Sequence, residues 1–121
     1  MMTKVMTMIG IRRLFQHQLI FQRKITGKID ERNLTPVDSP ELFQYHISAM
    51  VEELGEVLKA DKRWKSHRNV DYDSGEKLTE LADVFITAMN LCIFSGYSID
   101  VVMAAIESKQ RINFKRLQEE K

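Results

Sequence analysis

The stretch EKLTELADVFITAMNLCIF, Glu76 to Phe94, decides the fold. At about 100° of rotation per residue, Leu78, Leu81, Val84, Phe85, Ile86, Met89, Leu91, Cys92 and Ile93 cover most of a helix circumference. The alternation that would mark a half-buried strand is missing. A helix apolar nearly all round is normally central and buried. Glu80, Asp83, Thr87 and Asn90 are the exception, spaced so that they form one narrow polar stripe. Carboxylates carried into an apolar interior are costly unless a cation or hydrogen-bond donors meet them. The stripe therefore points to a metal site.

Three more segments carry helical periodicity around this one. The first is read from about Thr7 to Ile29, with Ile11, Leu14, Phe15, Leu19, Ile25 and Ile29 recurring at three- and four-residue steps. A linker, Asp30 to Ser39, follows. Ser39 caps and Pro40 opens the second helix, which continues through Glu41 to about Trp64. A polar loop, Lys65 to Gly75, leads into the third helix, read as Glu76 to Phe94 and stopped near Gly96. Ser98 caps a fourth helix, Ile99 to Leu117. The expectation is a single all-α domain over residues 1–121, of four-helix-bundle type, with 1–8 and 118–121 as flexible ends. A third helix apolar all round needs more cover than three such neighbours supply, so a second copy of the chain is expected to complete the bundle.

On the second helix, Ile47, Met50, Val51, Leu54, Val57 and Leu58 form the apolar face, and Glu52, Glu53 and Glu56 lie off it. Alone, such acids read equally as a solvated helix face. Beside Glu80 and Asp83 they read as a cluster that repels itself unless a hard cation neutralises it. All-oxygen ligation favours magnesium or manganese. Gln18 and Gln22 interrupt the apolar face of the first helix, either as amides bonded to backbone or buried water, or as readers of a nucleobase edge. On the fourth helix, Lys109, Asn113 and Arg116 continue the side of Val102, Ala105 and Ile106. They suit either a phosphate chain or a solvated helix end.

Composition narrows the classes. The chain has 121 residues and a formal net charge of +1, too little basic excess for a dedicated duplex-DNA binder. Its one cysteine, Cys92, excludes an intramolecular disulfide framework and suits a reducing compartment. The short apolar start ends at Arg12 and Arg13 without a cleavage pattern, and no run approaches the ~18 apolar residues of a membrane span. These features lead to the expectation of a cytoplasmic protein. His17, His46 and His67 have no ligand-like spacing and are read as surface or satisfied histidines, and Cys92 is read as packing.

Glu52-Glu53-x-x-Glu56 followed, after 23 intervening residues, by Glu80-x-x-Asp83 resembles the paired acidic motif of the all-α nucleoside-triphosphate pyrophosphohydrolases, the MazG and dimeric dUTPase superfamily. Leu14-Phe15-x-x-Gln18-x-x-Phe21, the Lys62-Arg-Trp64-Lys-Ser66 segment and Lys109-x-x-x-Asn113-x-x-Arg116 look like the dUTPase branch, from which Gln22 and Leu117 depart. The resemblance spans roughly residues 14–117. It implies a MazG-like fold, a homo-oligomer (dimer or tetramer) and magnesium-dependent cleavage of a nucleoside triphosphate, dUTP among the candidates, to the monophosphate and pyrophosphate. It implies magnesium, or manganese in its place, on Glu53, Glu56, Glu80 and Asp83. Glu52 would be a further ligand or a neighbouring acid, and Glu52 or Glu56 would take the proton of the attacking water. Lys109 and Arg116 would hold phosphates with Asn113 orienting them. Gln18 and Asn90 would read base or sugar, and Trp64 would stack. The competing readings are a non-catalytic, partner-binding helical module and a hydrolase of another phosphoanhydride such as phosphoribosyl-ATP.

Overall fold

The computed structural model describes residues 2–62 and 73–119, with side chains from residue 10 onward. It contains four helices, α1 (Met2–Thr26), α2 (Pro40–Asp61), α3 (Ser74–Phe94) and α4 (Ile99–Glu119), and no strand among the described residues.

The boundaries differ from the sequence reading for local reasons. α1 is helical from Met2 rather than Thr7, within the stretch expected to be a flexible end. It stops at Thr26, short of Ile29, because Gly27 turns left-handed (φ 68°) and its N–H donates to the Arg23 carbonyl at 2.8 Å. Ile29 instead enters the core from the linker. α2 starts as predicted, with Ser39 Oγ accepting from the Leu42 N–H at 3.3 Å. It ends at Asp61 rather than Trp64, since Lys62 is left-handed (φ 63°) and bonds back to the Leu58 carbonyl at 3.1 Å. Trp64 and the first part of the expected loop lie outside the described residues. α3 begins at Ser74 because Asp73 Oδ1 accepts from the N–H groups of Gly75 and Glu76 at 2.9 and 3.2 Å. α4 runs two residues past Leu117.

α2 and α3 pack closely and antiparallel. At one end the His46 ring stacks on Phe94 with centroids 4.6 Å apart, and at the other Lys77 Nζ pairs with Asp61 at 2.8 Å. α1 crosses them, and Phe15, Leu19, Ile29, Ile93 and Phe94 form the core. The linker is pinned to this core by the Val37 N–H, which donates to the Phe94 carbonyl at 2.9 Å. Gly96, at φ 83°, lies directly against Thr35 and Pro36. The chain then bends by 112°, so α4 leaves the other helices and buries no residue. Arg12 holds its start through Asp100 at 3.0 Å.

Within one chain α3 is covered on one side only. Its covered side carries Thr87, Asn90, Ile93 and Phe94, whereas Leu78 and Phe85 are 68% and 71% exposed. On α2, Val51, Leu54 and Leu58 are likewise exposed while Glu53 is half-buried. Packing within one chain thus turns the polar stripe inward and leaves the apolar faces uncovered. No single helix among the described residues is long and apolar enough to cross a membrane.

Burial pushes the His46 imidazole below its ordinary value of 6.5. The unfolded chain takes up this proton near pH 6.5, and the folded chain only at lower pH. The stability present above that pH therefore falls as the solution is acidified below it. Denaturant titrations at about pH 7.5 and about pH 5.5 should show this loss, and His46→Phe should reduce it. An unchanged loss in that variant would assign the effect to other groups.

Candidate metal centre

Glu53 on α2 faces Glu80 and Asp83 on α3, one turn apart on the polar stripe. One carboxylate oxygen from each lies within 4.8 Å of the others, and all three residues are half-buried. The Glu53 carboxyl is pushed above its usual range, first by loss of water and then by the charges of Asp83, Glu80, Glu56 and Glu52. No cation pairs with the three among the described residues. A divalent ion would relieve this repulsion. A donor set of carboxylates alone suits a hard cation and does not by itself choose magnesium over manganese or calcium.

The other acids stand outside this triad. Glu56 is one turn beyond Glu53 but rotated about 60° away. It leans toward Lys59, its Oε1 3.5 Å from the ammonium, and both it and Glu52 are exposed. Of the four residues expected as ligands, three converge, while Glu56 acts on them as a neighbouring charge.

The amides sit further along the same helices. Asn90 Oδ1 accepts from Gln18 Nε2 at 2.7 Å and from Gln22 Nε2 at 3.1 Å, tying α1 to α3. Both glutamine side chains therefore share one partner, Asn90, rather than bonding to backbone. Thr87 Oγ1 donates to the Asp83 carbonyl at 2.9 Å and completes the stripe. Asn90 lies seven residues from Asp83, so the amide cluster is about 10 Å along the helix from the carboxylates.

Lys109, Asn113 and Arg116 are exposed on α4, and no ion pair links either cation to the acids among the described residues. Trp64 lies outside the described residues. Two residues escaped the sequence reading. Asp73 caps α3, and the signal was present in Asp73-Ser-Gly-Glu76, which has the spacing of a capping box. His46, read as a surface or satisfied histidine, is buried, and its Nε2 has no hydrogen-bond partner among the described residues. It lies seven residues before Glu53, a step that keeps the two on nearly one face of α2.

Neither a family model, a curated protein nor a solved structure matches the chain.

Proposed function

We propose that the protein is a magnesium-dependent nucleoside-triphosphate pyrophosphohydrolase, cutting a ribo- or deoxynucleoside triphosphate to the monophosphate and pyrophosphate. The observation that carries this reading is the half-buried carboxylate triad of Glu53, Glu80 and Asp83, with which no side-chain cation pairs among the described residues. It sits in the order and spacing of the acidic motif that the chain resembles.

These three carboxylates would hold the ion. When bound, magnesium supplies charge neutralisation at the phosphate oxygens and acidifies a water. Glu52 or Glu56, exposed beside the triad, would take the proton of the water that attacks the α-phosphorus. The bond from the α-phosphorus to the bridging oxygen breaks, and pyrophosphate leaves with the electron pair. Gln18 and Asn90 bind base or sugar. Lys109 and Arg116 neutralise the departing charge and Asn113 orients it.

The last three residues stand on a helix that turns away from its own acids, which agrees with a homo-oligomer. So do the apolar side chains left exposed on the two packed helices, Val51, Leu54 and Leu58 on α2 and Leu78 and Phe85 on α3. Sedimentation equilibrium should give a dimer or tetramer, and Phe85→Asp should dissociate it. A wild-type monomer at micromolar concentration would remove this part of the proposal.

The exposed apolar faces also favour a second reading, a non-catalytic module that binds another protein. Turnover of a panel of ribo- and deoxynucleoside triphosphates with magnesium, phosphoribosyl-ATP included, separates the two. The enzyme reading expects monophosphate plus pyrophosphate from one or a few of them. It also expects a rise in Tm with magnesium and a non-hydrolysable analogue. No turnover by folded protein, with manganese also tried, and no such rise would leave the binding module.

A further inference from the structure

A cleft of about 400 Å³ opens between α1, α2 and α3, lined among others by Phe21, Gln22, Ile25, Tyr45, His46 and Asn90. Gln22, His46 and Asn90 are each more than nine-tenths buried, an unusual share of polar groups for so small a protein's interior. Gln22 and Asn90 satisfy each other in part. His46 does not: its Nε2 is buried and has no hydrogen-bond partner. Only packing holds the ring, stacked on Phe94 and edge-on to Tyr45 at 5.2 Å. An apolar ring would fill this place without an unmade hydrogen bond, so packing alone gives no reason for an imidazole here.

We propose that this cleft receives a flat nitrogen heterocycle and that His46 hydrogen-bonds its edge, which makes His46 a specificity-determining residue. The proposal rests on the pyrophosphohydrolase reading only in taking the heterocycle to be the base of the same nucleotide. Ala49, which also lines the cleft, lies one turn before Glu53, and His46 lies two. The cleft therefore begins about 6 Å along α2 from Glu53 and runs to about 16 Å at Leu42, so a base at its near end lies within a sugar's reach of the carboxylates.

The amides complement such an edge. Asn90 Oδ1 is occupied by two donors, leaving Asn90 Nδ2 to donate and Gln22 Oε1 to accept. Adjacent donor and acceptor groups on a base match that pair. Neutral imidazole adds one donor and one acceptor, and so can distinguish bases that the amides alone accept equally. Tyr45 is 65% exposed and lies edge-on to His46, so a rotation of this ring would be needed to bring a ligand to Nε2. Together with Phe21, Tyr45 then supplies an aromatic face for the heterocycle.

The test uses the full chain without metal, so that it does not depend on the carboxylates. The five common deoxynucleoside 5′-monophosphates (dAMP, dCMP, dGMP, dTMP and dUMP) are titrated while the imidazole resonances of His46 are followed. The expected result is a saturable shift with one or two of them. His46→Phe, which keeps the stack on Phe94, should weaken binding at least tenfold without lowering Tm, and His46→Gln should recover part of it. Nucleotide binding that leaves the His46 resonances unmoved, or equal affinity in His46→Phe, overturns the proposal. No binding by any of the five overturns it as well, whatever the triphosphate panel shows. A positive result here with a negative panel would instead fail the hydrolase reading and leave a nucleotide-binding cleft.

Discussion

On the proposed hydrolase reading, Asp83→Ala should abolish magnesium-dependent pyrophosphate release and, at the same time, make the metal-free protein more heat-resistant. Both effects come from one geometry. The carboxylate oxygens of Glu53, Glu80 and Asp83 lie within 4.8 Å of each other. Removing one leaves too few ligands to hold the ion over the phosphates. Losing the several kcal/mol of transition-state neutralisation that such an ion supplies lowers turnover by at least about a thousand-fold. In the absence of metal the same charge is a liability, because Asp83 contributes most among the neighbouring acids to raising the Glu53 carboxyl. Its removal relieves that repulsion, so the metal-free Tm rises while the magnesium-induced increase disappears. Turnover and melting curves with and without magnesium check both halves. Retained turnover would sink the site assignment, and a lowered metal-free Tm would mean that the acids are not in repulsion.

The second large effect is structural and lies at the opposite end of the α2–α3 pair. A Cβ at Gly96 would stand 2.7 Å from Pro36 Cδ and 2.7 Å from the Thr35 carbonyl carbon, and closer still to the Pro36 nitrogen. These are largely backbone atoms of a linker already fixed by its hydrogen bond to Phe94, so they cannot step aside cheaply. Gly96 also has a φ of 83°, a region unfavourable for L side chains. Strain of about 1–3 kcal/mol and overpacking of a similar size together remove a large part of a typical domain's stability. Gly96→Ala should lower Tm by at least about 10 °C. Gly27→Ala is the control: φ is 68° there, yet nothing lies within 4 Å of the added carbon. It should cost only about 1 kcal/mol. Equal melting of the two variants would show that the contact with Pro36 yields.

Much of this was legible in the sequence because it is local. Helical periodicity, the Ser39-Pro40 start and the polar stripe of α3 depend on neighbours within a turn or two, and the structure reproduces them. Spacing offered Glu80 and Asp83 with one or more of Glu52, Glu53 and Glu56, the resemblance implied Glu53 and Glu56, and of these only Glu53 converges with the stripe. What was not legible depends on which side of each helix meets the others. The apolar residues of α3 called for more cover than three neighbours supply, but did not say which side the single chain covers: it takes the side bearing Thr87 and Asn90 and leaves Phe85 outside. Periodicity locates an apolar face and is silent on whether the same chain or another covers it. The direction of α4 and the burial of His46 are of the same kind. Each is decided by tertiary packing that no spacing encodes.

The two ends of the α2–α3 pair are held by opposite means, and this has a kinetic consequence. One end is closed by the stacked rings of His46 and Phe94 and by the anchored linker. The other carries the mutually repelling carboxylates and is clipped by the Lys77–Asp61 ion pair. Without metal, the pair should open from the acidic end like a zipper fixed at its base. Amide hydrogens around Glu53 and Asp83 should then exchange with solvent faster than those around His46 and Ile93. Magnesium would flatten that gradient, so the ion would govern how often the helices part as well as the chemistry between them.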